Sequence, residues 1–556
     1  MGGRTDEPVR HDAVRWLSPT ELVRTGLTVA LGSVAAAYAD KRDVMAGTTF
    51  AQDVVRYDTA GDGAAGDFWV DFLSDTGDGF PAMATIATLL GATGVTVDGQ
   101  RLPRGRVLLL GGDEVYPVAG TKAYEERLEG PLDAQFVVDP EREQPAVHAI
   151  PGNHDWYDGL TAFLRVFAQG RDLAGWHTAQ RRSYFALALP HDWWVLAMDI
   201  QLDTYIDATQ LEWFRDVVAR IPHGSRIVLL TATPAWYGAL DGDDEAMDRL
   251  AFFLRDVLGE RRDLRVRLVL TGDTHHYARY TLVRPEGSVG PDQVLVTAGH
   301  GGAYTSPTHF LPDELHVTAD LADPGPERSD REHTYVRADA TFPTAPTSRT
   351  EAARVLTRLP ARNGSLFAVL GALQALVVVP AVLGLWVLAV LGAIVVGAVS
   401  AAFVAPNRKR WWGAVPLRAV LAVAQVGLAG GVAALATWAH EALAPGRAGL
   451  GSVLVGGAEI LVVVGVAGLA SSLVLALFLL VVGRWANRNE LFAAQSIEDH
   501  KGFLRMRIAP DGTLTIFVLG VDRVPRDWTW SPGDASRWTP TTPISAHLVE
   551  EVELRP

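Results

Sequence analysis

The chain has 556 residues, a formal net charge of −15 and no cysteine. The lack of cysteine excludes disulfides, cysteine-ligated zinc and thiol catalysis, and the acidic balance argues against a dedicated nucleic-acid surface. A chain of this length is expected to fold into two or three units rather than one.

The N-terminal region, residues 1–64, contains a mildly apolar stretch from Gly26 to Ala39. This stretch is shorter than the roughly 20 apolar residues that cross a bilayer, and Arg24 and Asp40 flank it closely. We therefore predict a helical region that is soluble or lies on a surface, and no secretory signal.

Residues 65–345 alternate between short apolar runs and longer segments with helical spacing. Several of the apolar runs end in corners rich in Asp or Gly. This pattern predicts an α/β domain with its chemistry at the strand ends. The strand-like runs are Phe68 to Ser74, Val107 to Leu110, Val147 to Ile150, Ile227 to Leu230, Val266 to Leu270 and Val294 to Thr297.

Four of the strand ends carry oxygen or imidazole side chains that suit metal binding. A lone Gly-Asp after a strand is more often a turn or a helix cap than a ligand. Four such corners in order are hard to attribute to turn chemistry. The corners are Ser74 to Gly79, Gly111 to Tyr116, Gly152 to Asp155 and Gly272 to His276.

These corners resemble the motifs of the calcineurin-like metallophosphoesterase superfamily: Asp-x-His, Gly-Asp, Gly-Asn-His-Asp or Glu, a lone His, and Gly-His-x-His. The most specific match is Gly152-Asn153-His154-Asp155. The resemblance covers residues 65–310 and implies an αββα sandwich that binds two divalent metal ions.

The resemblance also implies a role for each matching residue. Asp75 takes the first ligand position, Asp113 bridges the two ions, Asn153 binds the second ion and His275 matches the last ligand. In the same comparison His154 protonates the leaving oxygen and Asp155 orients His154.

The first corner departs from the family pattern because Asp75-Thr76-Gly77 lacks the usual His. The purple acid phosphatase branch also has Gly there and adds a Tyr ligand three residues after the bridging Asp, where this chain has Tyr116. Packing of Tyr116 beneath the loop is the alternative. Asp78 is a possible substitute for the missing His, although a turn carboxylate is the commoner reading.

Two further departures affect the second ion, since Ala232 replaces the lone His and Asp273 replaces the first His of the last motif. By this comparison the second ion is held by Asp113, Asn153 and Asp273. These are all oxygen donors, which favour Mn²⁺ or Mg²⁺ over zinc; the predicted cofactors are thus two divalent ions, Mn, Mg or Fe. The first ion is held by Asp75, Asp113, Tyr116 and His275.

Residues 365–483 predict about four membrane spans. The run from Ser365 to Ala405 has no formal charge and is twice the length of one span, so a hairpin turning near Pro380 to Leu385 is expected. Spans over Ala419 to Trp438 and Ile460 to Val482 follow. Lys and Arg cluster in the loops that four spans place on one side, which predicts cytoplasmic soluble regions in a multi-pass cell-membrane protein. A fifth span within Gly449 to Val482 is the alternative.

Residues 490–556 predict a small C-terminal β-rich region. Leu504, Met506 and Ile508 alternate with arginines, a turn follows near Gly512, and the alternation resumes at Leu514. This is the pattern of a β-hairpin.

We expect a membrane-anchored phosphoesterase that hydrolyses a phosphomonoester or phosphodiester. Its partners would be a small phosphoester or a lipid-linked phosphate and the bilayer, with no nucleic acid; the sequence leaves the oligomeric state open. The alternative is a degenerate, non-catalytic regulator that binds metal or nucleotide, motivated by Ala232 and Asp273. A transporter has little support because the spans contain few polar residues.

Overall fold

The structure is a computed structural model that describes residues 7–26, 54–57, 66–200, 206–240, 245–283, 289–327, 331–405, 411–443, 450–532 and 537–556. The predicted helical region at residues 1–64 falls largely outside these residues; within it, residues 19–26 are helical and a short strand, β1 (Val55–Arg56), follows. The chain forms two compact units. The first contains residues 1–14, 25–345 and 498–556, and the second contains residues 15–24 and 346–497.

The first unit contains a sheet of nine strands, and the four strands at its centre are parallel. In spatial order the strands are β1, β9 (Phe185–Leu189), β10 (Trp193–Ala197), β11 (Arg226–Leu230), β12 (Arg265–Thr271), β14 (Val289–Ala298), β13 (Tyr277–Val283), β16 (His333–Phe342) and β15 (Glu314–Val317).

A second sheet has eight strands, and four neighbouring strands within it are parallel. In spatial order they are β21 (Ala546–Leu554), β18 (Leu514–Val521), β17 (Lys501–Ile508), β2 (Phe68–Leu73), β5 (Val107–Leu110), β6 (Ala146–Ala149), β8 (Trp176–Thr178) and β7 (Asp172–Leu173). Two small hairpins pair β3 (Gly94–Val97) with β4 (Gln100–Pro103), and β19 (Trp528–Ser531) with β20 (Arg537–Pro540).

The two sheets pack face to face and helices cover their outer faces, which confirms the predicted αββα sandwich. Side chains of both sheets, such as Phe72 and Leu270, share one buried core. A second core lies between the nine-stranded sheet and its helices, and a third between the eight-stranded sheet and its helices. The helices are Phe80–Gly91, Thr121–Tyr124, the π-helical turn Glu125–Glu129, Gly130–Gln135, Asn153–Trp156, Thr161–Phe167, Ala208–Ala219, Ala235–Leu240 and Glu245–Leu258.

The predicted C-terminal hairpin is present as β17 and β18, and it forms part of the eight-stranded sheet. β17 pairs with β2 in antiparallel register, so that Arg505 lies opposite Asp71. Their side chains form a fully buried two-point ion pair, with Nε 2.7 Å from Oδ1 and Nη2 3.0 Å from Oδ2. Because removal of one partner of a buried pair leaves an uncompensated charge, this contact fixes the C-terminal strand to the strand that precedes Asp75.

The second unit confirms the four predicted apolar helices. Among the described residues, the helices long and apolar enough to cross a membrane are Gly364–Val382, Trp386–Phe403, Ala414–Ala442 and Ile460–Val482, with mean hydropathies of 2.2, 2.4, 2.0 and 2.6. Their exposed apolar side chains, such as Val387 and Leu461, form the kind of surface that suits lipid. The last of the four helices runs unbroken over Leu450–Val482, so it does not form the two spans of the five-span alternative. The other helices of this unit are Ala345–Ala353, Val355–Arg362 and Arg488–Ala493.

Polar side chains within these apolar helices meet in one buried cluster. Gln374 Nε2 donates to Gln425 Oε1 at 2.9 Å, and Ser471 Oγ donates to the same oxygen at 2.7 Å. All three side chains are at most 3% exposed, and they come from three different helices. Hydrogen bonds of this kind between helices hold a bundle in one arrangement inside an apolar medium.

Candidate metal centre

Three aspartates follow the carboxyl ends of three strands and turn toward one another. Asp75 follows β2, Asp113 follows β5 and Asp273 follows β12, and all three adopt left-handed backbone conformations, with φ of 58°, 55° and 62°. Aspartate tolerates this region better than most residues because its short side chain can hydrogen-bond locally. The backbone N–H of Asp273 donates to Asp75 Oδ2 at 2.9 Å, which joins the corners of the two sheets.

The hydroxyl of Tyr116 lies at the centre of the cluster. It is 2.9 Å from Asp75 Oδ1, 3.3 Å from Asp113 Oδ2 and 3.2 Å from His275 Nε2. All four side chains are buried. Since a phenol has one hydrogen, the Tyr116 hydroxyl donates a hydrogen bond to only one of these atoms at a time. The four oxygen and nitrogen atoms lie close enough together to be candidate ligands of one metal ion.

The buried carboxylates repel one another, and this changes their proton affinity. Burial, reinforced by the charges of Asp113 and Asp273, raises the pKa of Asp75 well above its usual range. Burial and the charge of Asp155 raise the pKa of Asp113 to about 8. Burial and the charge of Asp113 raise the pKa of Asp273 to about 7. A cation at this position would relieve the repulsion, as bound ions do at carboxylate sites.

His154 lies beside the aspartates at the start of the short helix Asn153–Trp156. Its backbone N–H donates to Asp113 Oδ1 at 2.8 Å, and its ring Nδ1 is 2.7 Å from the carbonyl oxygen of Pro117. A carbonyl only accepts, so Nδ1 carries the hydrogen, and Nε2 is the atom at which the ring gains or loses a proton. Burial lowers the pKa of His154, and the carbonyl of Pro117 and the charge of Asp155 oppose that shift.

Asp155 makes hydrogen bonds to the backbone of the neighbouring corners. Its carboxylate accepts from the backbone N–H groups of Gly152 at 2.9 Å, Asp113 at 2.8 Å and Glu114 at 3.3 Å, and from the hydroxyl of Tyr124. The Pro117 carbonyl forms a hydrogen bond with the His154 ring, and the orienting role of Asp155 stays a prediction. Asp155 therefore holds the corners of β5 and β6 together.

Comparison with known proteins agrees with this geometry. Residues 68–277 match the family model for calcineurin-like phosphoesterase. This region is a calcineurin-like phosphoesterase domain. A solved structure titled "GAP50 the anchor in the inner membrane complex of Plasmodium" is similar at 11% identity and a TM-score of 0.32, covering 50% of this chain and 80% of that chain. No curated protein matches the chain.

The side of the site predicted to bind the second ion, called here the second side, has fewer side chains that can bind a metal ion than the side of the first ion. Asn153 Nδ2 donates to the hydroxyl of Tyr157 at 2.8 Å, which leaves the amide oxygen as the atom suited to a cation. Ala232 is buried and lies against the corner that carries Asp113, since its Cβ is 2.9 Å from the place that a Cβ on Gly112 would take. Ala232 is the residue predicted to replace the family's lone His, and its methyl group cannot bind a metal ion.

The glycine-rich corner after β14 closes over the first side of the site. The N–H groups of Gly302 and Ala303 donate to the carbonyl of Asp75 at 2.6 Å and 2.8 Å, and that of Ser306 donates to the carbonyl of His275 at 2.9 Å. These amides support the corners that carry Asp75 and His275. Asp78, considered above as a substitute ligand, instead accepts from the backbone N–H of Val14 at 2.6 Å.

Two side chains that the sequence did not single out support the site. Ser74 Oγ donates to Asp75 Oδ2 at 2.7 Å. The buried carboxylate of Asp199 accepts from Trp156 Nε1 at 3.0 Å and so fixes the helix that carries His154. Ser74 could have been predicted from its position next to Asp75, whereas no motif in the sequence around Asp199 indicates a role in the site.

The side chains around Tyr116 suit one of the two ions that the family implies. Among the described residues, no three His, Asp or Glu side chains alone are spaced to hold a metal ion. Four donors converge only when the Tyr116 hydroxyl is counted. Three oxygens and one imidazole nitrogen suit a hard or borderline divalent ion, so the residues at Tyr116 fit the first ion.

Proposed function

We propose that the chain is a membrane-anchored, metal-dependent phosphoesterase that hydrolyses a phosphomonoester or a phosphodiester. The observation that carries this proposal is the convergence of Asp75, Asp113 and His275 on the hydroxyl of Tyr116. His154 is tied to the same Asp113 carboxylate through its backbone N–H.

We assign the first ion to Asp75, Asp113, Tyr116 and His275, and the second to Asp113, Asn153 and Asp273. The ions would be Mn, Mg or Fe, because the donors are mainly oxygen. When bound, such a pair neutralises charge on the phosphoryl oxygens and activates a water molecule as the nucleophile.

His154 is the proposed acid–base residue, with Pro117 and Asp155 in supporting roles. The carbonyl of Pro117 holds Nδ1–H, so Nε2 is the atom that passes a proton to the leaving oxygen. Burial lowers the pKa of the ring, and an incoming phosphoester anion would raise it by adding nearby negative charge. Asp155 keeps the backbone of Asp113 in place through its hydrogen bonds to the adjoining corners.

The four apolar helices are proposed to hold the phosphoesterase at the inner face of the cell membrane. β17 follows those helices in sequence and pairs with β2, which precedes them, and this pairing supports a topology with both flanking parts on one side of the bilayer. An even number of spans meets this requirement. The Lys and Arg residues of the connecting loops favour the cytoplasmic side. A small phosphoester or a lipid-linked phosphate is the proposed substrate.

A non-catalytic role in binding metal or nucleotide is the second candidate. The specific observation that favours it is the methyl group of Ala232 in a position where the family pattern has a ligand. Loss of one donor weakens the second ion and with it the stabilisation of the phosphoryl group.

The test is hydrolysis of bis-p-nitrophenyl phosphate and p-nitrophenyl phosphate by the full-length protein, stripped of metal and resupplied with Mn²⁺, Mg²⁺, Fe²⁺ or Zn²⁺ singly. We expect turnover with at least one metal. His154→Ala should then lower kcat by about 10²–10⁴-fold while the bound metal stays the same. The control is His223→Ala, because the His223 side chain is 89% exposed and pairs with Asp263 on the surface.

Hydrolysis that survives His154→Ala unchanged would show that His154 is not the acid–base residue. Metal binding without turnover under any of the four ions would instead favour the non-catalytic candidate.

A further inference from the structure

Lys501, the first residue of β17, is a charged side chain with no exposed surface. Its Nζ donates to Thr305 Oγ1 at 2.8 Å. In the part of the chain that the structure describes, no carboxylate lies within ion-pair distance of Nζ; Asp499, Asp78 and Glu498 act on it through longer-range charge. Burial lowers the pKa of Lys501 to about 7.

A buried ammonium group is costly, and it is rare to find one held by a single hydroxyl. Lysine is also uncommon here, since only four of the 49 basic residues are lysine. A hydrophobic side chain of similar length would fill the same space at lower cost. The presence of lysine therefore indicates that its N–H groups have a role as hydrogen-bond donors.

Thr305 connects Lys501 to the metal centre. Its hydroxyl donates to the carbonyl of Asp499 at 2.6 Å and accepts from Lys501. Thr305 belongs to the closing loop, residues 299–306, whose N–H groups hold the carbonyls of Asp75 and His275. Movement of Thr305 would therefore move two proposed metal ligands together.

The other chain segment that adjoins the apolar helices holds the continuation of this loop. Thr308 Oγ1 donates to the carbonyl of Pro343 at 2.8 Å, and Pro343 lies two residues before the helix Ala345–Ala353. Asp499 and Lys501 lie just after the helical unit ends at residue 497. The loop over the metal centre is thus fixed by the segment that enters the helical unit and by the segment that leaves it.

We propose that Lys501 is a positioning residue of the phosphoesterase site, which fixes the closing loop through Thr305 so that Asp75 and His275 are held in place. The segment that follows the apolar helices then contributes to the site although it carries none of the proposed ligands. This inference rests on the proposed function, because positioning is read out through metal binding and turnover.

The experiment compares Lys501→Met and Thr305→Val in the full-length protein, with Thr305→Ser as the conservative variant that keeps the hydroxyl. We expect kcat to fall by about 10–100-fold in the first two, since a small misplacement of reacting groups has effects of this size, while KM and the melting temperature change little. The Mn²⁺ Kd should rise in both and recover in Thr305→Ser. The double variant should be no worse than the more affected single variant, because both changes break one link.

Amide hydrogen exchange of residues 299–306 gives a readout that does not need turnover. Exchange should be faster in Lys501→Met and Thr305→Val than in the natural protein. Lys122→Met is the matched control, because Lys122 is 82% exposed and pairs only weakly with Glu126 at 3.6 Å.

The outcomes separate this inference from the proposed function. If the natural protein is inactive with every metal, the proposed function fails, and the Mn²⁺ Kd and amide exchange still decide whether Lys501 positions the site. If exchange quickens but the Mn²⁺ Kd and kcat stay unchanged, Lys501 has a structural role only and the inference is wrong. Variants indistinguishable from the natural protein in all three measurements would also overturn it.

Discussion

The two sides of the candidate metal centre differ in how many donors they contain. On the first side, Asp75, Asp113 and His275 all lie within 3.3 Å of the Tyr116 hydroxyl. On the second side, Asn153 and Asp273 remain, and Ala232 offers only a methyl group. In the proposed assignment Asp113 belongs to both sides, so the side of the first ion can keep its ligands while the side of the second ion has fewer.

The largest effect should follow the loss of the residue that both sides share. Asp113→Asn replaces the bridging carboxylate by a neutral amide of the same size, which weakens both ions at once. We expect the loss of hydrolysis to exceed the about 10²–10⁴-fold that removal of one acid–base residue gives. Metal content and kcat should be measured on the same sample.

Asp139→Asn serves as the control for that change, since Asp139 lies outside the site and is partly exposed, where its Oδ1 accepts from the backbone N–H of Glu141. If Asp113→Asn lost one bound ion but kept the other with full affinity, Asp113 would not bridge, and the two sides would be independent.

An intermediate effect should follow repair of the poorer side. Ala232→His supplies the imidazole that the family pattern contains, and we expect the Kd of the second Mn²⁺ to fall about tenfold, or about 1.4 kcal/mol. Ala232→Leu is the matched control, because it adds bulk at the same buried position without a donor and should bring only the cost of overpacking. Calorimetric titration with Mn²⁺ gives both affinities. An equal gain in the Leu variant would exclude coordination as the cause.

The smallest effect concerns stability in the metal-free protein. The raised pKa values, about 8 for Asp113 and about 7 for Asp273, mean that the folded state holds protons that the unfolded state has already released. Stability should therefore fall as the pH rises from 6 to 8, because the folded state gives up these protons over that range. A decrease in melting temperature between the two pH values measures this loss.

Added Mn²⁺ should reduce this loss, because a cation replaces the protons between the carboxylates. Asp273→Asn should reduce it without metal, since one of the repelling charges is gone. A melting temperature that does not change between pH 6 and pH 8 in the metal-free protein would contradict the close approach of these carboxylates.

Local patterns in the sequence predicted an α/β domain, the four apolar helices and the C-terminal hairpin, and the αββα sandwich was implied by the family resemblance. Alternation around Leu504 and Leu514 and the turn at Gly512 correspond directly to β17 and β18. The break after Val382 corresponds to the turn between the first two apolar helices. These features depend on residues that are close together in the sequence, so the local residue pattern is enough to predict them.

The spacing of Tyr116 from Asp113 suggested a role in the site, but its central position required the folded structure. The orienting role of Asp155 was implied by the family resemblance and stays a prediction. The hydrogen bonds of its carboxylate to the backbone of Gly152 and Asp113 required the folded structure. The assignment of each residue to one of the two ions stays a prediction.

Contacts between segments that are distant in the chain could not be predicted from the sequence. The Pro117 carbonyl is a backbone atom, and any residue would provide it. Lys501 meets Thr305 across 196 residues, and no local pattern marks that pairing. Asp199 supports Trp156 in the same way.

The order in which a ribosome makes this chain gives the pairing of β17 with β2 another consequence. β17 lies between β18 and β2, and Arg505 follows Asp71 by 434 residues. At about 5–20 residues per second, translation of that interval takes roughly 20–90 seconds, during which β2 has an open edge and the Asp71 carboxylate lacks its buried partner. The apolar helices are all synthesised within that interval. A nascent chain can therefore complete its phosphoesterase domain only after every apolar helix has left the ribosome.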